Sequence, residues 1–105
     1  MKRAMIGVAT AWVLATALAD AGEPHSYVPK EGFVPNEETA SRIAEAVWIP
    51  IYGEENIRDQ KPFHASLHQG KWTVTGTLPP GVAGGTAIAV ISKKDGRILS
   101  VSHSK

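Results

Sequence analysis

Cysteine does not occur in the 105 residues, so disulfides and thiolate metal sites are excluded. An excess of either charge is lacking too: 11 Lys and Arg stand against 10 Asp and Glu. With no basic stripe there is no electrostatic footprint for a phosphate backbone, and nucleic acid is not an expected partner. No internal repeat at a solenoid period is present. Stability therefore rests on the apolar core of one small domain, which buries only about 60–65% of the surface its unfolded chain exposes.

A long hydrophobic run is missing as well. The uncharged stretch from Ala4 to Leu18 has about 15 residues, short of the roughly 20 that span a bilayer as a helix. It follows Met1-Lys2-Arg3 and ends in Ala17-Leu18-Ala19 and Ala19-Asp20-Ala21, small-x-small patterns of a secretory signal peptide cleaved after Ala19 or Ala21. Without cysteine there is no lipid attachment site, so no stable membrane anchor is expected, and the mature protein is expected to be periplasmic or secreted. Lys2, Arg3 and Asp20 leave with residues 1–21, so nine basic and nine acidic side chains remain. Residues 22–33, with Pro24 and Pro29 and no apolar period, read as an extended leader; the folded unit is expected over 34–105.

Asn36 suits a helix N-cap, and Glu37 and Glu38 place negative charge in the first turn. Ala40, Ile43, Ala44, Val47 and Ile51 recur at helical spacing and make one apolar stripe. Pro50 predicts that this helix kinks there or ends near Trp48. A short second helix is expected over 54–60, with Ile57 inward. From Pro62 the period falls to two. Phe63, Ala65 and Leu67, then Trp72, Val74 and Gly76, alternate with polar residues about a Gln69-Gly70 turn. That register sets Leu67 opposite Trp72, Ala65 opposite Val74 and Phe63 opposite Gly76. In a second hairpin around Lys93-Lys94-Asp95-Gly96, placing Ser92 opposite Arg97 sets Val90 against Leu99, Ile88 against Val101 and Thr86 against His103, with the large apolar groups on the inner face. The order predicts an α+β domain: an N-terminal helix and a short second helix on a four-stranded antiparallel sheet.

Residue types that carry chemistry are present, but not in catalytic spacing. His64 and His68 share one strand face about 13 Å apart, too far to hold one metal ion, and no metal or cofactor is expected. His103 falls at the chain end. Ser41, Ser66 and the Thr73, Thr75, Thr77 row lack a base and an oxyanion hole, and Glu37-Glu38 and Glu54-Glu55 sit where helix starts favour acids. Pro79-Pro80-Gly81 with Gly84-Gly85 lacks the Lys and hydroxyl of a phosphate loop. No enzyme is expected. Trp48 and Tyr52, four apart, read either as core or as exposed anchors for a protein partner. Those two residues, with Pro79, Pro80, Gly81, Val82, Gly84 and Gly85 of the one long loop, are the candidate partner-binding residues.

Val34-Pro35-Asn36-Glu37-Glu38-Thr39-Ala40, Trp48, Pro50-Ile51-Tyr52-Gly53, Lys61-Pro62-Phe63, Gly76-Thr77-Leu78-Pro79 and Asp95-Gly96 occur in order. With these motifs the chain resembles the bacterial immunity proteins of nuclear transport factor 2 fold, a cystatin-like helix-on-sheet arrangement. The resemblance implies a protein that binds and neutralises a cognate toxin, and with the export signal, one acting in the periplasm. It transfers no catalytic residue and no toxin-contact position. The other reading is a non-catalytic periplasmic structural or regulatory binding module. Oligomeric state is not legible from the sequence.

Overall fold

Asn36 opens the first helix in the computed structural model, which describes residues 24–105. The signal peptide read at 1–21 and the first two leader residues lie outside them. The extended backbone of Asn36 lets its Oδ1 accept the Thr39 N–H at 2.8 Å, satisfying one orphan donor of the first turn. Helix α1 spans Glu37–Tyr52 and α2 spans Glu54–Arg58. Strands β1 (His64–His68), β2 (Lys71–Thr75), β3 (Ala87–Ser92) and β4 (Ile98–His103) follow. They form one antiparallel sheet in the order β1-β2-β3-β4, so every connection joins neighbours.

Helix α1 does not end near Trp48. It runs through Pro50 to Tyr52 and closes with the Gly53 N–H donating to Ile49 O at 2.8 Å. Pro50 and Ala46, whose carbonyl loses its donor, are both exposed, so water can take the free acceptor. Trp48 and the half-buried Ile49 and Tyr52 meanwhile hold the last turn against the core. Here tertiary packing outweighs a local helix breaker.

The core lies between α1 and one sheet face. Ala40, Ala44 and Trp48 of α1 meet Trp72 and Val74 of β2 and Ala87, Ala89 and Ile91 of β3, with Ile57 of α2 and Val34 at the margins. The alanines bring helix and sheet close together, and the two indoles fill the space they leave. The Trp48 and Phe63 rings stand edge to face, 5.2 Å apart, an arrangement favoured by their quadrupoles.

The first hairpin has the expected register: Leu67 pairs with Trp72 and Ala65 with Val74. Gln69 and Gly70 both have positive φ, 51° and 75°, as a two-residue turn matched to the strand twist requires. Strand β1 begins at His64, so Phe63 lies just before the ladder, against Trp48. The second hairpin starts in the expected register, with the Ser92 N–H donating to Arg97 O at 2.9 Å and Ile91 pairing with Ile98. It then departs from it. Val90 pairs with Ser100, Ala89 with Val101, Ile88 with Ser102 and Ala87 with His103; Leu99 is the extra residue of a β-bulge.

On β3 the inner face is the reverse of the expected one, while on β4 the bulge keeps Val101 inward, as expected, opposite Ala89 and against the core. Ala87, Ala89 and Ile91 are buried, while Ile88 and Val90 face outward and are half-covered. The face is decided by β2, because buried Trp72 and Val74 pair with Ile91 and Ala89, and directly opposed residues share a side of the sheet.

The leader is partly docked. The Phe33 and Val34 N–H groups each donate at 3.0 Å, to Lys94 O and Lys93 O. The Val34 carbonyl accepts the Trp72 Nε1–H at 2.8 Å, and Lys93 Nζ reaches Glu31 O. A Cβ at Gly32 would collide with the Lys93 carbonyl, so only glycine allows this approach.

Candidate functional site

Among the described residues, helices cover one face of the sheet and no helix covers the other. Along β2 the alternation that buries Trp72 and Val74 turns Lys71, Thr73 and Thr75 outward. Register carries that face across all four strands in three rows: His64, Thr75, Ile88 and Ser102; Ser66, Thr73, Val90 and Ser100; His68, Lys71 and Ser92. Ile88 and Val90 sit at its centre, half-buried by their neighbours, and Ser and Thr hydroxyls surround them. At one end a shallow hollow of about 320 Å³ is lined by Gln69, Lys71, Ser92, Asp95, Arg97 and Leu99. The bulge thus brings Leu99, 41% exposed, into the same hollow as Lys71.

Asp95 is held below the usual carboxylate range, first by the Arg97 N–H that it accepts at 3.0 Å, then by the Ser92 hydroxyl; both favour the ionised form. Its Oδ2 lies 3.9 Å from the Arg97 guanidinium. Lys71 has no ion-pair partner among the described residues.

At the other end of the sheet, Tyr52 Oη and His103 Nδ1 are 3.3 Å apart with rings near perpendicular. They open on a cavity of about 250 Å³ shared with Asn56, Gln60, Gly85, Thr86 and Ser104. The fold thus brings Tyr52 and Gly85 of the sequence candidates together. Pro79 to Gly84 stand beyond them on an exposed loop whose Val82 is 50% accessible. That loop is anchored at both ends, by the Thr77 Oγ1–H on Pro62 O at 2.6 Å and by Thr86 and Ser104, which exchange two hydrogen bonds of 2.9 Å. Trp48 is separate from all of these. With no exposed surface it is a core residue, and the anchor reading does not hold for it.

His64 and His68 lie on the outer face in different rows. Among the described residues no group of three His, Asp or Glu is placed to hold a metal ion, and no helix is long and apolar enough to cross a membrane. The acidic pairs are helix-start features: Glu38 meets Arg42 at 2.8 Å and Glu54 meets Arg58 at 3.3 Å, each four residues on. The outer-face residues Lys71, Thr73, Val90 and Leu99 were not among the sequence candidates. The signal that could have found them is the pairing of buried Trp72, which fixes the side of every residue across from it.

A helix laid over one face of a four-stranded antiparallel sheet, with the other face open among the described residues, defines a small α+β fold of nuclear transport factor 2 type. The chain belongs to the NTF2 fold immunity protein family, whose pattern matches residues 39–105. Among curated proteins similar to it are the uncharacterized Escherichia coli K12 proteins YhhH, 36% identical, and YbbC, 38% identical, each over 73 residues. The match covers 69% of this chain but 58% and 60% of those proteins, so the chain spans about three-fifths of the length of these relatives. No solved structure matches it.

Proposed function

We propose that this is an exported immunity protein that binds a bacterial toxin acting in the periplasm and neutralises it by covering the toxin's working surface, without catalysis of its own. The observation that carries the reading is family membership: the matched residues 39–105 take in nearly the whole helix-on-sheet unit. The amino-terminal signal read from the sequence supports export. A rigid sheet with one open face suits inhibition by shape and polar complementarity, and Tyr52 with the loop from Pro79 to Gly85 stands at one end of that sheet.

The test is to look for a toxin-like gene beside this one and to co-express the effector it encodes. We expect the exported protein to restore growth to cells making that effector in the periplasm, and the two purified proteins to form a complex. Rescue only by a form retained in the cytoplasm, or no complex with the effector, overturns the proposal.

A further inference from the structure

We infer that the open sheet face is the docking surface, and that it fits a protein partner presenting an acidic patch; this deepens the immunity reading and rests on it. Carboxylates are segregated across the molecule, while cations stand on both sides, Arg42 and Arg58 on the helices among them. Strands HASLH, KWTVT, AIAVIS and ILSVSH contain no Asp or Glu. Of the carboxylates among the described residues, Glu37, Glu38, Glu45, Glu54, Glu55 and Asp59 all lie on α1, α2 or the cap of α2; only Glu31 in the leader and Asp95 in the last turn lie elsewhere. On the open face Lys71 is a cation without a counter-ion among the described residues, and Arg97, whose guanidinium lies 3.9 Å from Asp95, shares the hollow with it. Asp95, engaged by the Arg97 N–H, is the one carboxylate there.

The layout is that of an interface: an apolar centre at Ile88 and Val90, a rim of hydroxyls that can donate to carboxylates, and cations at one end. Three rows across four strands measure about 14 Å by 14 Å, smaller than the roughly 800 Å² each partner gives a standard complex. The contact therefore extends onto the Pro79 to Gly85 loop at one end and the Lys93 to Gly96 turn at the other. A second copy would set two carboxylate-poor faces together with no acidic patch to meet the cations, so the charge favours a different, acidic protein.

The experiment compares equal charge losses on the two sides. The pairs are Lys71→Gln with Arg97→Gln on the open face and Arg42→Gln with Arg58→Gln on the helices, each checked for folding by thermal melting. Lys71→Glu with Ser100→Glu, both exposed, is a second open-face variant. Against the neighbour-encoded effector, the open-face pairs are expected to bind about tenfold more weakly and to lose salt dependence, while the helix pair stays within about twofold of wild type. A complex that tolerates both open-face pairs, or is broken by the helix pair, overturns the inference while the immunity reading stands.

In parallel, amide shifts of the wild-type protein titrated with hexaglutamate are expected at Lys71, Thr73, Val90 and Ser100, and not with hexalysine. Shifts on the helices instead, no shifts, equal shifts with a short DNA duplex, or self-association through this face each overturn it. Should the wild type fail to bind the effector while hexaglutamate still maps to the open face, the immunity reading falls and the acidic preference of the face remains.

Discussion

The Gln60 side chain closes the gap between α2 and β3: its Oε1 accepts the Ala87 N–H at 2.8 Å. Its backbone carbonyl accepts the Thr77 N–H at 2.7 Å, and its amide occupies the place where a side chain at Gly76 would stand. Gln60→Leu leaves the buried Ala87 N–H unpaired and is expected to cost about 1–3 kcal/mol of folding stability. Gly76→Ala drives a methyl into the Gln60 amide and costs about 1–3 kcal/mol. Because Gln60→Ala removes the clashing Oε1 and Cδ but keeps the Cβ 2.9 Å away, the Gly76→Ala penalty should fall without vanishing in that background, giving a coupling of about 1 kcal/mol in urea melts. Simple additivity would refute the overlap.

Trp72 ties the leader to the sheet through its hydrogen bond to the Val34 carbonyl. Trp72→Phe keeps an aromatic core residue but removes the donor, and is expected to cost about 1–2 kcal/mol. Hydrogen exchange should accelerate at the Phe33 and Val34 amides, which bond to Lys94 and Lys93, more than at amides in the middle of α1. Uniform acceleration would mean that the bond stabilises the whole domain and not the leader.

Gln69 holds a left-handed backbone, φ 51°, at a turn position that favours Asn. Gln69→Asn is expected to raise stability by about 0.5–1 kcal/mol, read as a higher denaturant midpoint at unchanged slope. A lower midpoint would show that the Gln69 side chain makes a stabilising contact of its own.

Asp95 supplies the acid-dependent prediction. Its carboxyl titrates below the ordinary value of 3.8 because the Arg97 N–H, then the Ser92 hydroxyl, favour the anion. A depressed folded value gives stability that is present above the unfolded value and lost as pH falls through the folded one. The stability difference between wild type and Asp95→Asn should therefore hold constant down to about pH 5 and close below about pH 4. Curves that stay parallel through that range would rule out the hydrogen bond as its source.

Local chemistry made much of the fold legible. The Asn36 cap, the helical stripe through Ala40 and Ala44, the change of period at Pro62 and the Gln69-Gly70 turn each state their structure within a few residues. What the sequence concealed depends on contacts between distant segments. Pro50 reads as a helix breaker, yet its outcome was decided by where Trp48 and Tyr52 pack. The last hairpin reads as large apolar residues inward, but one bulged residue, Leu99, shifts the register. The preference of β2 for presenting Ile91 and Ala89 to the helix then turns Ile88 and Val90 outward. The candidate site suffered most from this, because an open face is recognised only once the sides of the sheet are known. Tyr52 and the Pro79 to Gly85 loop were legible as an aromatic and a proline- and glycine-rich segment. Their meeting with His103 was not, since 51 residues separate Tyr52 from His103.

The residues that hold the scaffold together and those on the proposed docking face occupy different parts of the molecule. Trp48, Phe63 and Gly76 sit in the seam between helix and sheet, where exchange damages the scaffold. Thr73, Val90 and Ser100 look outward from strands whose ladders do not depend on their side chains. The outward face can therefore be altered one side chain at a time while the architecture beneath it stays intact.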